Sequence, residues 1–293
     1  MFYIENNDKP NWFERTFNLI KLQDDTLIIP ICEKTNQNQI QKLAEKTNKI
    51  IKKYSKSNKI ILSKNINNKY LNLLNSYDFE IQNGKFLKEI LLTDIVEYTI
   101  LKMQLKKENT SISILINDLN DIEFENIKIL SKEYKNVNVV TNHIEKFKKL
   151  KEQLEQEGII ITITNNKKKS LIKSKIIVNF DFPTELINKY NIEEDAIILN
   201  LKNKIKINKK RFNGLNIYDY EIDFRDYNKN TRAICGTYYL KDLYEASLYR
   251  KQGFKELRKT IKNDKVIIKK LILNSGSEIW YFFLQKLLFL SKI

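Results

Sequence analysis

The chain has very few of the residues on which several kinds of protein site depend. Its 293 residues include two cysteines, Cys32 and Cys235, and one histidine, His143. Two cysteines are too few for a disulfide scaffold, and one histidine without a cysteine cluster does not form a zinc site. We therefore expect no metal site, and a serine–histidine–aspartate triad could use only His143.

Glycine and proline are also scarce, with six and three residues. The sequence contains neither a G-x-x-x-x-G-K-S/T phosphate loop nor a G-x-S-x-G nucleophile turn. No apolar run reaches the ~20 residues that cross a bilayer, since Gln285 and Lys286 interrupt the longest one, residues 279–290. The first residues are polar and mixed rather than those of a signal peptide. These absences predict a cytoplasmic protein with no transmembrane segment.

The charge is unbalanced, with 52 lysines and arginines against 36 acidic residues and a net charge of +16. A basic protein of this kind raises nucleic acid as a partner. Most of the positive residues are lysines spread along the chain, and abundant Lys, Asn and Ile with little Gly or Pro is typical of an AT-rich coding sequence. We interpret the charge as a compositional bias and do not expect nucleic acid as the partner.

The pattern of residues 111–183 is strand, helix, strand, helix, strand, short helix, strand. Such alternation predicts a parallel sheet with crossover helices. The first strand, residues 111–116, is almost continuously apolar, which is typical of a strand covered on both faces. A ligand on such a sheet lies across the carboxyl ends of the strands.

The whole chain is predicted to be α/β, with a Rossmann-like, mostly parallel sheet at its centre. Residues 1–106 would form a smaller N-terminal α/β unit that ends in a long connecting helix, residues 86–106. Residues 107–230 would be the Rossmann-like domain, and the largely helical residues 231–293 would pack back on the first unit. Residues 202–207 alternate lysine with other residues, which favours an edge strand with a lysine face; a basic strip facing a substrate is the alternative.

The loop after the first central strand does not have the residues of a dinucleotide site. Such a loop normally reads G-x-G-x-x-G, because glycine lets the backbone approach the pyrophosphate at a helix N-terminus. Here residues 117–124 read N-D-L-N-D-I-E-F, with acids at Asp118, Asp121 and Glu123. A like charge at ~4 Å near a protein surface costs about 4 kcal/mol. The loop therefore disfavours NAD(P), and the cofactor stays open.

The end of the second central strand resembles a known family. The segment VVTNHIEKF, residues 139–147, is similar to the strand-end Asn-Arg-Thr of the shikimate dehydrogenase and glutamyl-tRNA reductase group, with Asn142 at the asparagine. His143 and Ile144 stand at the arginine and the threonine. The resemblance covers residues 108–183 and the two-domain layout. It implies that Asn142 contacts the adenosine ribose or its 2′-phosphate; a helix N-cap is the alternative role.

Further polar residues follow the predicted central strands. The candidate ligand contacts at the carboxyl ends of these strands are Asn117, Asp118, Asn142, Asn166, Asn179 and Asp181. Turn and capping roles are the alternative for the asparagines, and helix capping is the alternative for Asp181. In the first unit, Lys64 ends a strand and is a candidate general base or anion contact, against the alternative of an exposed loop lysine.

Three functions remain open. The first is a degenerate, non-catalytic or strongly divergent relative of NAD(P)-dependent dehydrogenases. The second is an active small-molecule oxidoreductase with a nonstandard dinucleotide grip and a ligand in the cleft between the two units. The third is a basic nucleic-acid or anionic-surface binder. The sequence leaves open whether the protein is an enzyme, and its oligomeric state.

Overall fold

The chain forms two compact units, each built from two separate stretches of sequence. The computed structural model describes residues 1–55, 57–225 and 236–278. The first unit contains residues 1–86 and 236–251, and the second contains residues 87–225 and 252–278. The predicted C-terminal stretch 231–293 is thus divided between the two units, and its residues 279–293 lie outside the described residues.

The first unit is built around a five-stranded sheet. Its strands are β1 (Phe2–Asn6), β2 (Lys21–Gln23), β3 (Thr26–Ile29), β4 (Lys59–Leu62) and β5 (Glu80–Gln82), in the order β2-β3-β1-β4-β5. All neighbouring pairs are parallel except β2 with β3. The helices of this unit are α1 (Trp12–Phe17), α2 (Gln37–Tyr54), α3 (Asn68–Leu74) and, from the later stretch, α9 (Leu240–Ser247).

Apolar residues of the strands and of α2 and α3 form the core of the first unit. Ile4, Leu27 and Ile60 are completely buried on three neighbouring strands. On the helices, Leu43 and Tyr70 are buried against them, and the Tyr70 hydroxyl lies 2.6 Å from that of Thr47. Because this hydroxyl has a partner, the large ring can be buried without leaving a polar atom unpaired.

The second unit is built around a seven-stranded sheet. Its strands are β6 (Ser111–Leu115), β7 (Asn136–Val140), β8 (Thr162–Thr164), β9 (Ile176–Asn179), β10 (Ile197–Asn200), β11 (Leu215–Phe224) and β12 (Val266–Leu273). The order is β12-β11-β10-β9-β6-β7-β8, and only β12 is antiparallel to its neighbour. The six parallel strands follow the Rossmann order 3-2-1-4-5-6. The predicted fold class is confirmed.

The helices of the second unit include α5 (Leu92–Lys102), α6 (Asp121–Glu133), α7 (Lys148–Gln156), α8 (Thr184–Ile187) and α10 (Phe254–Asn263). A further helix, α4 (Lys85–Ile90), leads into α5. The strands between them are covered on both faces, as the apolar sequence predicted: every residue of β9 and β10 is buried. None of the described helices combines the length and the apolar character that a membrane span requires.

The prediction of one continuous helix over residues 86–106 is wrong. The helix is interrupted at Leu91, between α4 and α5, and α5 ends at Lys102. At the interruption, the Asn126 side-chain amide donates to the Glu89 carbonyl at 2.7 Å, and Arg258 donates to the Ile90 carbonyl at 3.2 Å. These tertiary bonds satisfy carbonyls that an unbroken helix would pair with its own N–H groups. Apolar periodicity carries no information about such bonds.

The prediction of an edge strand over residues 202–207 is also wrong. These residues are irregular, and β10 before them lies inside the sheet, between β9 and β11. Ile205 is buried in the apolar cluster around Phe182 and Tyr190. Lys202 instead pairs with a buried carboxylate, as described below.

Candidate ligand site at the carboxyl edge of the second sheet

The order of the second sheet places its topological switch point between β6 and β9. The chain continues from β6 to one side and reaches β9 on the other, so the loops that follow these two strands lead away from each other. Asn117 and Asp118 lie in the loop after β6, and Asp181 lies in the loop after β9. In proteins of this architecture, ligands bind at this switch point.

The Asp181 carboxylate joins these two loops. Both of its oxygens accept a hydrogen bond from the backbone N–H of Asn117 at 2.9 Å, and one also accepts from the N–H of Asp118 at 3.0 Å. Consecutive backbone N–H groups that point to one place form an anion site. In this protein the anion is the side chain of Asp181.

Two further contacts tie the same loop to its surroundings. The Asn117 side-chain oxygen accepts the backbone N–H of Asn142 at 3.0 Å, which links the loops after β6 and β7. The exposed Asp118 carboxylate accepts a hydrogen bond from Lys146 at 2.7 Å. The hydrogen bond and the charge of Lys146 hold the pKa of Asp118 below its ordinary value.

The turn after Asn142 has His143 as its N-cap, without a side-chain bond, so Asn142 is not a helix N-cap.

Two backbone N–H groups at the start of α6 are hydrogen-bonded to side chains of the same segment. Asn120 accepts the N–H of Glu123 at 2.9 Å, and the Glu123 carboxylate accepts the N–H of Asn120 at 2.9 Å, which is a capping box. The second oxygen of Glu123 lies 2.6 Å from the Lys202 ammonium, and only 1% of the Glu123 side chain is exposed. Burial works against the charge of Lys202, but the Glu123 carboxylate outweighs it and raises the pKa of Lys202.

Asparagine side chains of the neighbouring strands β9, β10 and β11 are joined to one another by hydrogen bonds. Asn179 and Asn200 end β9 and β10, face each other in register, and are joined by a side-chain hydrogen bond of 3.1 Å. Asn200 also donates to Asn216 of β11. The buried ammonium of Lys88 donates to the carbonyl of Asn200 at 2.6 Å and to that of Tyr218. Because these amides are paired, they can be buried without the cost of an unsatisfied polar group.

The structure therefore brings together five of the six predicted ligand contacts: Asn117, Asp118, Asn142, Asn179 and Asp181. Asn166 is not among them. It follows β8, the last strand of the sheet, where its side-chain oxygen accepts the N–H groups of Lys168 and Lys169. Among the residues that the structure describes, no three His, Cys, Asp or Glu side chains are grouped to hold a metal ion.

Lys64, the predicted catalytic candidate, lies in the first unit after β4. Its ammonium donates to the Gly236 carbonyl at 3.3 Å and lies 5.4 Å from the ring centre of Tyr239. Its backbone N–H donates to the Thr237 carbonyl at 2.9 Å. These contacts connect the end of β4 to residues 236–239, so Lys64 has a structural role.

Sequence reasoning missed Lys88, Lys202, Asn200 and the buried pairing of Glu123. One signal was present for the asparagines, because β9 and β10 read IIVN and IILN, two apolar strands that both end in Asn. No sequence signal distinguishes Lys88 or Lys202 from the other lysines of this lysine-rich chain.

Comparison with known proteins does not assign the chain to a family. No protein-family model matches the chain, and no curated protein matches its sequence. Solved structures similar to it include ornithine carbamoyltransferase from Pyrococcus furiosus, at 12% identity over 68% of this chain and 71% of that one, with a TM-score of 0.29. Aspartate transcarbamoylase from Trypanosoma cruzi, solved with N-(phosphonacetyl)-L-aspartic acid, is 11% identical over 70% and 72%, with a TM-score of 0.27. L-Tryptophan dehydrogenase from Nostoc punctiforme is 7% identical over 69% and 65%, with a TM-score of 0.31.

These similarities do not support a specific relationship to the shikimate dehydrogenase and glutamyl-tRNA reductase group. The weak Rossmann-like resemblance stands, and it rests on the strand order of the second unit. No particular activity follows from that order, because one fold carries many functions.

Proposed function

We propose that this chain is a divergent Rossmann-like protein without the dehydrogenase type of dinucleotide site. The observation that supports the proposal is the position of the Asp181 carboxylate. It accepts three hydrogen bonds from the backbone N–H groups of Asn117 and Asp118, in the loop that normally holds a pyrophosphate.

Four backbone N–H groups of this loop already have partners. A pyrophosphate on a Rossmann loop accepts backbone N–H groups at the start of the following helix. In this loop, Asn117 and Asp118 donate to Asp181, while Asn120 and Glu123 form the capping box of α6. A pyrophosphate would have to displace the Asp181 carboxylate to gain these donors.

The negative charge of the loop also opposes the binding of a pyrophosphate. An incoming phosphate would approach Asp181, with Asp118 and Asp121 on the same short segment. One like-charge contact at ~4 Å costs about 4 kcal/mol at an effective dielectric constant of 20. The two nearby lysines do not compensate, because Lys146 is paired with Asp118 and Lys202 with Glu123.

Isothermal titration of the protein with NADH and with NADPH, at physiological salt, tests the proposal. We expect no binding at micromolar concentrations of either compound. The variant Lys259→Glu/Lys262→Glu, which removes two exposed lysines of α10, serves as a control against binding to a basic surface elsewhere in the unit. Micromolar binding of NADH or NADPH that persists in this variant would overturn the proposal.

A further inference from the structure

Six cationic side chains line one pocket of the second unit. The pocket has a volume of about 670 Å³. Among the described residues that line it, the positive ones are Arg225, Lys255, Arg258, Lys259, Lys262 and Lys265, and the one acidic residue is Asp94. We call it the basic pocket. It shares no residue with the site at the end of β6 and β9.

Two structural elements build the basic pocket. Positions 255, 258, 259 and 262 lie on one face of α10, because residues three and four apart are neighbours on a helix. The other face, with Phe254, Leu257 and Ile261, is the buried one. Arg225 and Lys265 come from the paired ends of β11 and β12, where the Arg225 backbone N–H donates to the Lys265 carbonyl at 3.1 Å.

Three of these lysines have no anionic partner within the part of the chain that the structure describes. Lys255, Lys259 and Lys262 are exposed and form no ion pair there. Arg258, in contrast, is paired with Asp94 and also donates to the Ile90 carbonyl. The described lining therefore contains six positive side chains and one negative side chain around a single concave space.

An ordinary solvated helix face does not account for this arrangement. The helix dipole favours a cation in the last turn of α10, which explains Lys262. It disfavours a cation in the first turn, where Lys255 lies. Nor does a solvated face require Arg225 and Lys265 of the neighbouring strand pair to line the same concavity.

We propose that the basic pocket binds a compact, multiply charged phosphate compound, an oligophosphate or the oligophosphate part of an ester. Its volume lies in the ~300–1,000 Å³ range of small-molecule sites. Arginine and lysine are the side chains that bind phosphate oxygens, by charge-assisted hydrogen bonds. None of the described residues that line the pocket is aromatic, so they provide no stacking platform of the kind on which single-stranded nucleic acid binds.

The direct test is isothermal titration of the full chain with inorganic tripolyphosphate at about 50 mM salt, where charge contacts are weakly screened. We expect one site per chain. The variant Lys259→Glu/Lys262→Glu should lower the affinity at least tenfold. Glutamate and lysine have similar helix propensities, so the helix should be retained. Circular dichroism and the thermal midpoint check this, and Arg225→Glu, directly after β11, provides a second test outside the helix.

The chain offers a matched control. Lys49 and Lys52 are exposed on α2, have the same three-residue spacing, and form no ion pair among the described residues. The variant Lys49→Glu/Lys52→Glu changes the net charge by the same amount, and we expect it to change the affinity less than twofold.

Three results would overturn the proposal. The first is the absence of tripolyphosphate binding at low salt. The second is an equal loss of affinity in the α10 and α2 variants, which would indicate general charge attraction. The third is tighter binding of a single-stranded oligonucleotide that is lost in the α10 variant, which would make the surface a nucleic-acid site. Comparison of tripolyphosphate with ATP and AMP separates a free oligophosphate from a nucleotide ligand: equal binding of tripolyphosphate and ATP with weak AMP binding supports recognition of the phosphate chain.

Discussion

Both carboxylate oxygens of Asp181 lie 2.9 Å from the backbone nitrogen of Asn117. This contact joins the ends of β9 and β6, which are neighbours in the sheet but 64 residues apart in sequence. A protein carboxylate thus accepts the backbone N–H groups of the loop after β6, which hold a phosphate in nucleotide-binding proteins of the Rossmann architecture. The same contact closes the loop and fixes its conformation.

Removal of this carboxylate should destabilise the protein. Asp181→Ala leaves the N–H groups of Asn117 and Asp118 without their acceptor, and we expect the free energy of unfolding to fall by about 2–3 kcal/mol. Asp181→Asn keeps one acceptor oxygen and should cost about half as much. Denaturant unfolding measures both. As a control, Asp195→Asn removes only a surface ion pair with Lys175 and should cost less than about 1 kcal/mol. Equal losses in Asp181→Ala and Asp195→Asn would contradict the role given to Asp181.

The pair of Glu123 and Lys202 should show energetic coupling. Lys202→Met leaves the buried Glu123 carboxylate without its cation, and we expect a loss of about 1–3 kcal/mol in unfolding free energy. Glu123→Gln also weakens the capping box, so its cost includes a second effect. The double variant should be more stable than the sum of the two single losses predicts. Additive losses in this double-mutant cycle would show that the pair contributes no interaction energy.

The same pair should have a definite pH dependence. Because the pKa of Lys202 is raised in the folded protein above the ordinary value of 10.5, its contribution is complete below that pH. The contribution is lost as the pH rises through the folded-state value. The difference in unfolding free energy between the parent and Lys202→Met should therefore be constant from about pH 7 to pH 9 and decrease above about pH 10.5. A difference that already decreases between pH 7 and pH 9 would mean that the pKa is lowered.

Gly158 ends α7 in a conformation that favours glycine. Its φ is +77°, its N–H donates to the Glu155 carbonyl at 2.9 Å, and the N–H of Ile159 donates to the Leu154 carbonyl at 2.8 Å. These two hydrogen bonds form a Schellman motif, in which glycine is favoured at the C′ position. Gly158→Ala should cost about 1 kcal/mol from backbone strain alone, since no atom lies within 4 Å of the added methyl group.

A comparison with Gly84 separates the cost of backbone strain from the cost of a steric clash. Gly84 has a φ of +72°, and a methyl group there would lie 2.8 Å from the Lys241 side chain. Gly84→Ala should therefore cost more than Gly158→Ala, by the energy needed to move that side chain. Gly158→Asn should be the mildest change, because asparagine tolerates the left-handed region. A neutral Gly158→Ala, measured by denaturant unfolding, would be inconsistent with the strain argument.

The mostly parallel sheet of the second unit could be anticipated from the alternation of apolar strands and amphipathic helices. That pattern is local, because each strand from β6 to β9 is separated from the next by a crossover helix or loop of its own. The interruption at Leu91 could not be anticipated, since it depends on Asn126 and Arg258, which approach from far along the chain. A strand was wrongly predicted over residues 202–207 because lysine alternates there with other residues, which is a pattern typical of an edge strand.

The candidate site, too, could be predicted from the sequence only in part. Asn117, Asp118 and Asp181 could be placed at the carboxyl edge because they follow strands directly. That Asp181 bonds to the N–H groups of Asn117 and Asp118 could not be foreseen, since it depends on how two loops meet. Lys202 and Lys88 were missed because the sequence does not indicate which of many lysines is turned inward.

The antiparallel strand β12 has a consequence for synthesis on the ribosome. The chain leaves the second unit after Arg225, contributes residues 236–251 to the first unit, and returns at Gln252. Until β12 has emerged, the long strand β11 has no partner along residues 218–224, because β10 pairs only with its first residues. An unpaired strand edge of this length is a template for association between nascent chains. A chain that stalls before residue 266 should therefore depend on chaperones more than the finished protein does.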